Sequence, residues 1–191
     1  MTERGRMLVV SGPSGSGKST ICKRLLEDRR VEFSVSATTR APRAGEVDGR
    51  DYWFVDKERF RAMIEGGEFI EWAEVHGNLY GTPRAPMEHA LAAGRHFLLE
   101  IDVQGGAQLK ALGLPGLYVF VAPPDLASLR ARLEQRGTDK PEVIERRMAK
   151  AAEEMRAMER YDHVVVNREL EAAVAEVRTL VGLGKTARSS R

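Results

Sequence analysis

The sequence predicts an α/β fold: a doubly wound parallel sheet flanked by helices in three layers, carrying a small β-rich insertion and a helical hairpin. Three observations predict it. Four short runs, at residues 7–11, 97–101, 117–122 and 163–166, are almost continuously apolar and rich in Val, Leu, Ile and Phe, as suits strands buried on both faces. Helical patterns follow or separate them at residues 19–27, 84–93, 126–136, 142–160 and 169–183. The alternation breaks only over residues 34–82, where turn-rich RAPRAGEVDGRDY precedes a short helix opening at Asp56 and the mixed run EFIEWAEV.

At 191 residues the chain is long enough for one well-packed domain and too short for two with separate cores. The expected division is a core of 1–33, 85–125 and 160–191, an insertion of 34–84 on the ligand end of the sheet, and a lid of 126–159. Within the lid, residues 134–147 place a Gly-Thr-Asp break between two highly charged helical segments, the pattern of a mobile hairpin. Thirty basic and twenty-eight acidic residues leave a formal charge of +2, so no uniform field points to nucleic acid or a membrane surface. MTERGRMLVV has no signal-peptide core, and no apolar stretch reaches membrane-spanning length, so a cytoplasmic protein is expected. The single cysteine, Cys22, forms no internal disulfide and reads as a small buried helix residue. His76, His89, His96 and His163 read as loop, helix-surface or strand-edge residues without a catalytic role.

The first apolar run leads straight into Gly12-Pro13-Ser14-Gly15-Ser16-Gly17-Lys18-Ser19, and a helix follows with Thr20 in its first turn. This G-x-x-x-x-G-K-[ST] pattern therefore stands between a buried strand and a helix, where its mechanism requires it, and marks a three-layer P-loop fold. Its glycines let successive N–H groups turn inward, the helix aims its positive end at the same point, and Lys18 adds a compact charge. Ser19 is placed to ligate Mg²⁺ beside ATP phosphates and water. Phosphate binding alone leaves GTPase, ATPase and small-molecule kinase open. The acceptor site must decide.

SVSATTRAPRAGEVDGRDYWF brings Ser36, Arg40, Arg43 and Tyr52 close together, and two arginines three apart suit a dianionic phosphate through bidentate guanidinium pairing. EFIEWAEVHGNLYGT adds Glu71, Tyr80 and Thr82. With GPSGSGKST and LLEIDVQG, these segments closely resemble the guanylate kinase family from about Met7 to Asn167. The resemblance implies Mg²⁺-dependent transfer of the γ-phosphoryl group of ATP to GMP, and also to dGMP, within purine nucleotide metabolism and GMP recycling. It implies that Arg40, Arg43, Tyr52 and Tyr80 hold the GMP phosphate beside Ser36, that Glu71 and Thr82 read guanine, and that Glu100 and Asp102 close the site from the sheet. Arg136 and Arg147 would be catalytic lid arginines with Lys18, Arg132 a weaker third on the ATP side, and Asn167 a neighbour of adenine. The expected partners are ATP and GMP, without nucleic acid or membrane, in a monomer or small homo-oligomer.

Chemistry agrees with the implied selectivity. Guanine offers donors at N1 and N2 and an acceptor at O6, so a carboxylate such as Glu71 takes both donors while the hydroxyl of Thr82 donates to O6; adenine presents an acceptor to that carboxylate instead. Leu79, Pro83 and Arg168 depart from the family pattern, where a tyrosine, a serine and an acidic residue are common. The rival non-catalytic scaffold module is disfavoured by the intact loop with Lys18 and Ser19.

Overall fold

Alternation along the first apolar run sets the architecture. In β1 (Met7–Ser11), Leu8 and Val10 point into one apolar cluster with Ile21, Leu25 and Val177, while Met7 and Val9 point into another with Met87, Phe97 and Leu109. A strand that buries both faces this way must lie between two helical layers. In this computed structural model, which describes residues 5–75, 77–135 and 140–184, it does.

The main sheet is parallel with order β2-β7-β1-β8-β9, where β2 is Val31–Phe33, β7 His96–Glu100, β8 Leu117–Ala122 and β9 His163–Val166. One helical layer contains α1 (Lys18–Leu25) and α7 (Leu170–Val181); the other contains α3 (Arg84–Ala92) and α4 (Val103–Ala111). Two elements escaped the sequence reading. β2 is three residues long, too short to register as an apolar run. α4 carries Gly105-Gly106, each disfavoured by about 1 kcal/mol in a helix, yet the Asp102 carboxylate caps it through Gly105 N at 2.8 Å. Gly106 has a packing reason: a Cβ there would stand 2.3 Å from the Tyr161 hydroxyl.

Two expectations need correction. β9 is the outermost strand of the order, and Val164 and Val166 are each 39% exposed, so it is not buried on both faces. His96 is no edge or surface residue: it opens β7, between β2 and β1, and is buried.

The insertion forms its own sheet, order β4-β3-β6-β5, from β3 (Ala37–Thr38), β4 (Trp53–Phe54), β5 (Phe69–Val75) and β6 (Asn78–Pro83). Its small core holds Ala37, Met63 of α2 (Lys57–Glu65), and the rings of Phe60 and Phe69 stacked at 4.5 Å. The hairpin is α5 (Leu126–Gln135) against α6 (Pro141–Met155), joined by Leu129, Leu133, Ile144 and Ala151 and by a two-bond Arg130–Glu145 pair at 2.6 and 2.9 Å. A 3₁₀ turn, Arg156–Arg160, completes the stretch expected to be one helix as far as residue 160. On the far side, Arg178 of α7 is buried and donates to Asp28 at 2.9 Å, while Arg30 grips both oxygens of the same carboxylate.

Candidate active site

The loop between β1 and α1 takes the form its glycines permit. Gly12, Gly15 and Gly17 have φ of 148°, 90° and 93°, and a Cβ on Gly12 would fall 2.2 Å from the Val121 carbonyl. Ser16 N donates to Pro13 O at 3.1 Å, and α1 begins immediately at Lys18, so its unpaired N-terminal N–H groups and positive end face the loop. The Ser19 hydroxyl donates to the carboxylate of Glu100, which ends the neighbouring strand β7. Behind them Cys22 is buried, and burial, reinforced by the Glu100 charge, pushes its thiol far above the ordinary range, which leaves it inert.

Beside the loop lies a cavity of about 380 Å³ lined by Gly15, Gly17, Thr20, Arg132, Asn167 and Arg168. Asn167 Nδ2 donates to Ser16 O at 2.8 Å, and Arg132 donates to Asn167 O at 2.8 Å. The loop, the end of β9 and α5 thus meet at one carbonyl.

A second cavity of about 300 Å³ opens between the insertion and the start of α4, lined by Ser36, Tyr52, Glu71 and Tyr80 on one side and Asp102 and Gln104 on the other. At one end the Arg40 guanidinium lies 5.4 Å from the Tyr52 ring centre, and the Tyr52 and Tyr80 rings meet edge-on at 6.1 Å. Glu46 orders this end: it accepts from Arg40 Nη2 at 2.8 Å and from the backbone N–H of Arg43 at 2.7 Å. At the other end Glu71 of β5 faces Thr82 of β6 in register and accepts its hydroxyl hydrogen bond at 2.6 Å. Burial pushes the Glu71 carboxyl up; the Thr82 bond opposes the shift and the Asp102 charge adds to it. A larger hollow of about 520 Å³ shares Glu71 but is walled mainly by apolar Phe69, Ile70, Trp72 and Leu112, and its lining includes no residue of the Gly12–Ser19 loop.

Known proteins resemble this chain over most of its length. A family model described as guanylate kinase matches residues 4–182. The guanylate kinase of Carboxydothermus hydrogenoformans is 45% identical over 179 residues, covering 93% of this chain and 88% of that protein. The chain belongs to the guanylate kinase family. The guanylate kinase of a Chelativorans species is 50% identical over 181 residues, 93% of this chain and 83% of its own. Among solved structures, guanylate kinase from Anaplasma phagocytophilum superposes with a TM-score of 0.73 at 36% identity, over 95% of this chain and 86% of that one. The likeness extends over the insertion and the hairpin as well as the sheet.

The expected site residues do not all meet at one place, Arg132 and Asn167 lying at the cavity beside the loop. Ser36, Arg40, Tyr52, Glu71, Tyr80 and Asp102 converge on or beside the smaller cavity. Thr82 is fully buried behind Glu71, with its proton committed to that carboxylate and not to the cavity, while the Arg43 side chain is exposed and only its backbone joins the cluster. Gly12, Pro13, Ser14, Gly15, Ser16, Gly17, Lys18, Ser19 and Thr20 form the loop and first turn, with Glu100 held by Ser19. Arg147 is half-buried on α6; Arg136 lies outside the described residues.

Two carboxylates were missed. Glu46 sits inside the arginine segment itself, where an acidic residue three after Arg43 was a usable signal. Glu154 is two helical turns beyond Arg147 on the same face of α6. Burial raises its carboxyl, Lys150 and Lys18 pull it down, and Asp102 raises it further, which places it among the charges of the site.

Proposed function

We propose that this protein transfers the γ-phosphoryl group of ATP to GMP, giving ADP and GDP, and accepts dGMP as well. One observation carries the proposal: an intact phosphate loop at the end of β1 opens beside a cavity with a guanidinium and two phenols at one end and a buried carboxylate at the other. The first end suits the phosphate of GMP and the second suits the N1 and N2 donors of guanine. Three separately packed clusters, in the sheet, the insertion and the hairpin, support the division into a core, a GMP-binding insertion and a lid.

A phosphate oxygen is already ionised near neutral pH, so transfer asks for alignment and charge neutralisation and not for a dedicated base. Lys18 supplies a point charge at the loop, and Arg147 with Arg136 supplies more from the lid. Ser19 and Glu100 put a hydroxyl and a carboxylate side by side, an oxygen set that fits Mg²⁺. Among the described residues no group of three or more His, Cys, Asp or Glu could cage a metal, which suits an ion held largely by ATP phosphates and water. Bound there, Mg²⁺ would supply charge neutralisation between the phosphates. Closure of insertion and lid over both substrates excludes water, which would otherwise hydrolyse ATP.

The test is coupled ADP formation with ATP, Mg²⁺ and each of GMP, dGMP, AMP, CMP and UMP in turn. The expected result is turnover with the guanine nucleotides and slow ATP loss without an acceptor. Equal ATP consumption with and without acceptor would mean an ATPase and overturn the proposal.

A further inference from the structure

We infer that Asn167, backed by Arg132, is a positioning residue for the phosphate loop, acting on the donor phosphates through the Ser16 carbonyl and not by reading the donor's base. The amide is placed for this. Asn167 is 5% exposed, so most of its side chain is turned into the protein although it also lines the cavity beside the loop. Its Nδ2 donates to Ser16 O at 2.8 Å, and a carbonyl acceptor requires the NH₂ end of the amide there. Both backbone groups of Asn167 are fixed as well: its N–H donates to Ala122 O at 2.8 Å at the end of β8, and its carbonyl accepts from Arg132 Nη2 at 2.8 Å. Arg132 Nη1 also reaches Ser16 O, at 3.4 Å.

The consequence follows from the peptide bond. The bond between Ser16 and Gly17 is trans, as are all those described, so its carbonyl and its N–H point in opposite directions. Holding the Ser16 carbonyl on Asn167 turns the Gly17 N–H the other way, toward the side on which the loop closes around an anion. Gly17 is matched to this contact: a Cβ there would stand 2.2 Å from Asn167 Nδ2. The asparagine and the loop's last glycine form one device, and the α5 arginine steadies it from the lid side.

Inorganic tripolyphosphate separates the two roles, because it offers phosphates without a base. Calorimetric Kd values for tripolyphosphate and for ATP are to be measured on the wild type, Asn167→Ala and Arg132→Lys, with GMP binding as a control. Leaving the Ser16 carbonyl without its donor is expected to weaken tripolyphosphate and ATP by the same factor, about tenfold, with GMP unchanged. Arg132→Lys keeps the charge but loses the fork, and is expected to weaken both by about threefold. A loss confined to ATP would show that Asn167 reads the adenosine and would overturn the inference, as would unchanged affinity for both ligands. Should Asn167→Ala lack a cooperative melt, Arg132→Lys decides by the same comparison. The kinase reading stands apart from this outcome: wild-type turnover of GMP beside an ATP-only loss in the variants overturns the inference alone.

Discussion

Replacing Glu71 by glutamine separates recognition from stability in one experiment. The carboxylate lines the cavity between the insertion and α4, faces Thr82 across the β5–β6 pair and accepts its hydroxyl hydrogen bond at 2.6 Å. Burial raises its folded-state pKa above the ordinary value, so folding disfavours the charged form; that destabilisation is present at neutral pH and is relieved as pH falls through the raised value. Glutamine carries no charge to bury and keeps an oxygen for Thr82, so Glu71→Gln is expected to melt at or above the wild-type temperature at neutral pH. Catalysis should move the other way. One charge-assisted bond to guanine is lost and an amide N–H is turned against a guanine donor, together about 2–4 kcal/mol, or roughly thirty- to a thousandfold in kcat/KM for GMP. AMP should gain relative to GMP, because the amide can donate to adenine N1 and accept from its exocyclic amine. Coupled ADP formation with each nucleotide, alongside thermal melts, measures both effects. An unchanged GMP-to-AMP ratio in a folded variant would refute base reading by Glu71, and a melting temperature several degrees lower would refute the burial argument.

Four further substitutions test the rest of the site and one part of the frame. Lys18→Ala should lower kcat by several orders of magnitude with GMP affinity little changed, because its charge acts on the transferring phosphoryl group; near-normal turnover in a folded variant would contradict that role. Arg147→Ala should lower kcat about a hundredfold or more with a much smaller change in GMP binding by calorimetry, and a loss confined to GMP binding would move this arginine to the acceptor site. Arg40→Lys keeps the charge but loses the fork that reaches Glu46 and Ala41 O, so KM for GMP should rise about tenfold; an unchanged KM would remove Arg40 from phosphate binding. Asp28→Asn should cost about 2–3 kcal/mol at neutral pH by denaturant unfolding, because it leaves buried Arg178 without its charge partner. Arg30 above all holds the Asp28 carboxyl well below the ordinary carboxylate range. Its stabilisation is therefore complete above the ordinary pKa of about 3.9 and is lost as pH falls through the lowered one, so the gap between wild type and variant should be flat near neutrality and shrink in acid.

The strands β1, β8 and β9 stand where the apolar runs put them, because short runs rich in Val, Leu and Phe favour extended chain packed into a sheet, fully buried in β1 and at the centre of β8 and half-exposed at the outermost β9. The phosphate loop was equally open to sequence reading, since strand, glycines, lysine and helix follow one another along the chain and the motif needs no distant partner. α4 was not, because its Gly105-Gly106 speaks against a helix until Tyr161 arrives from another part of the chain to fill the space a side chain would take. The site's polar pairings were hidden for the same reason. Glu71 with Thr82, Ser19 with Glu100 and Asn167 with the Ser16 carbonyl join residues 11, 81 and 151 positions apart. The residue types and their chemistry were present in the sequence by itself. The β5–β6 register decided that Thr82 serves Glu71, while the strand order β2-β7-β1-β8-β9, which brings the ends of β1, β7 and β9 together at one end of the main sheet, decided that Ser19 serves Glu100 and that the asparagine holds the Ser16 carbonyl. Hydrogen bonds act over about 3 Å, and local sequence carries no record of a partner 81 or 151 positions away.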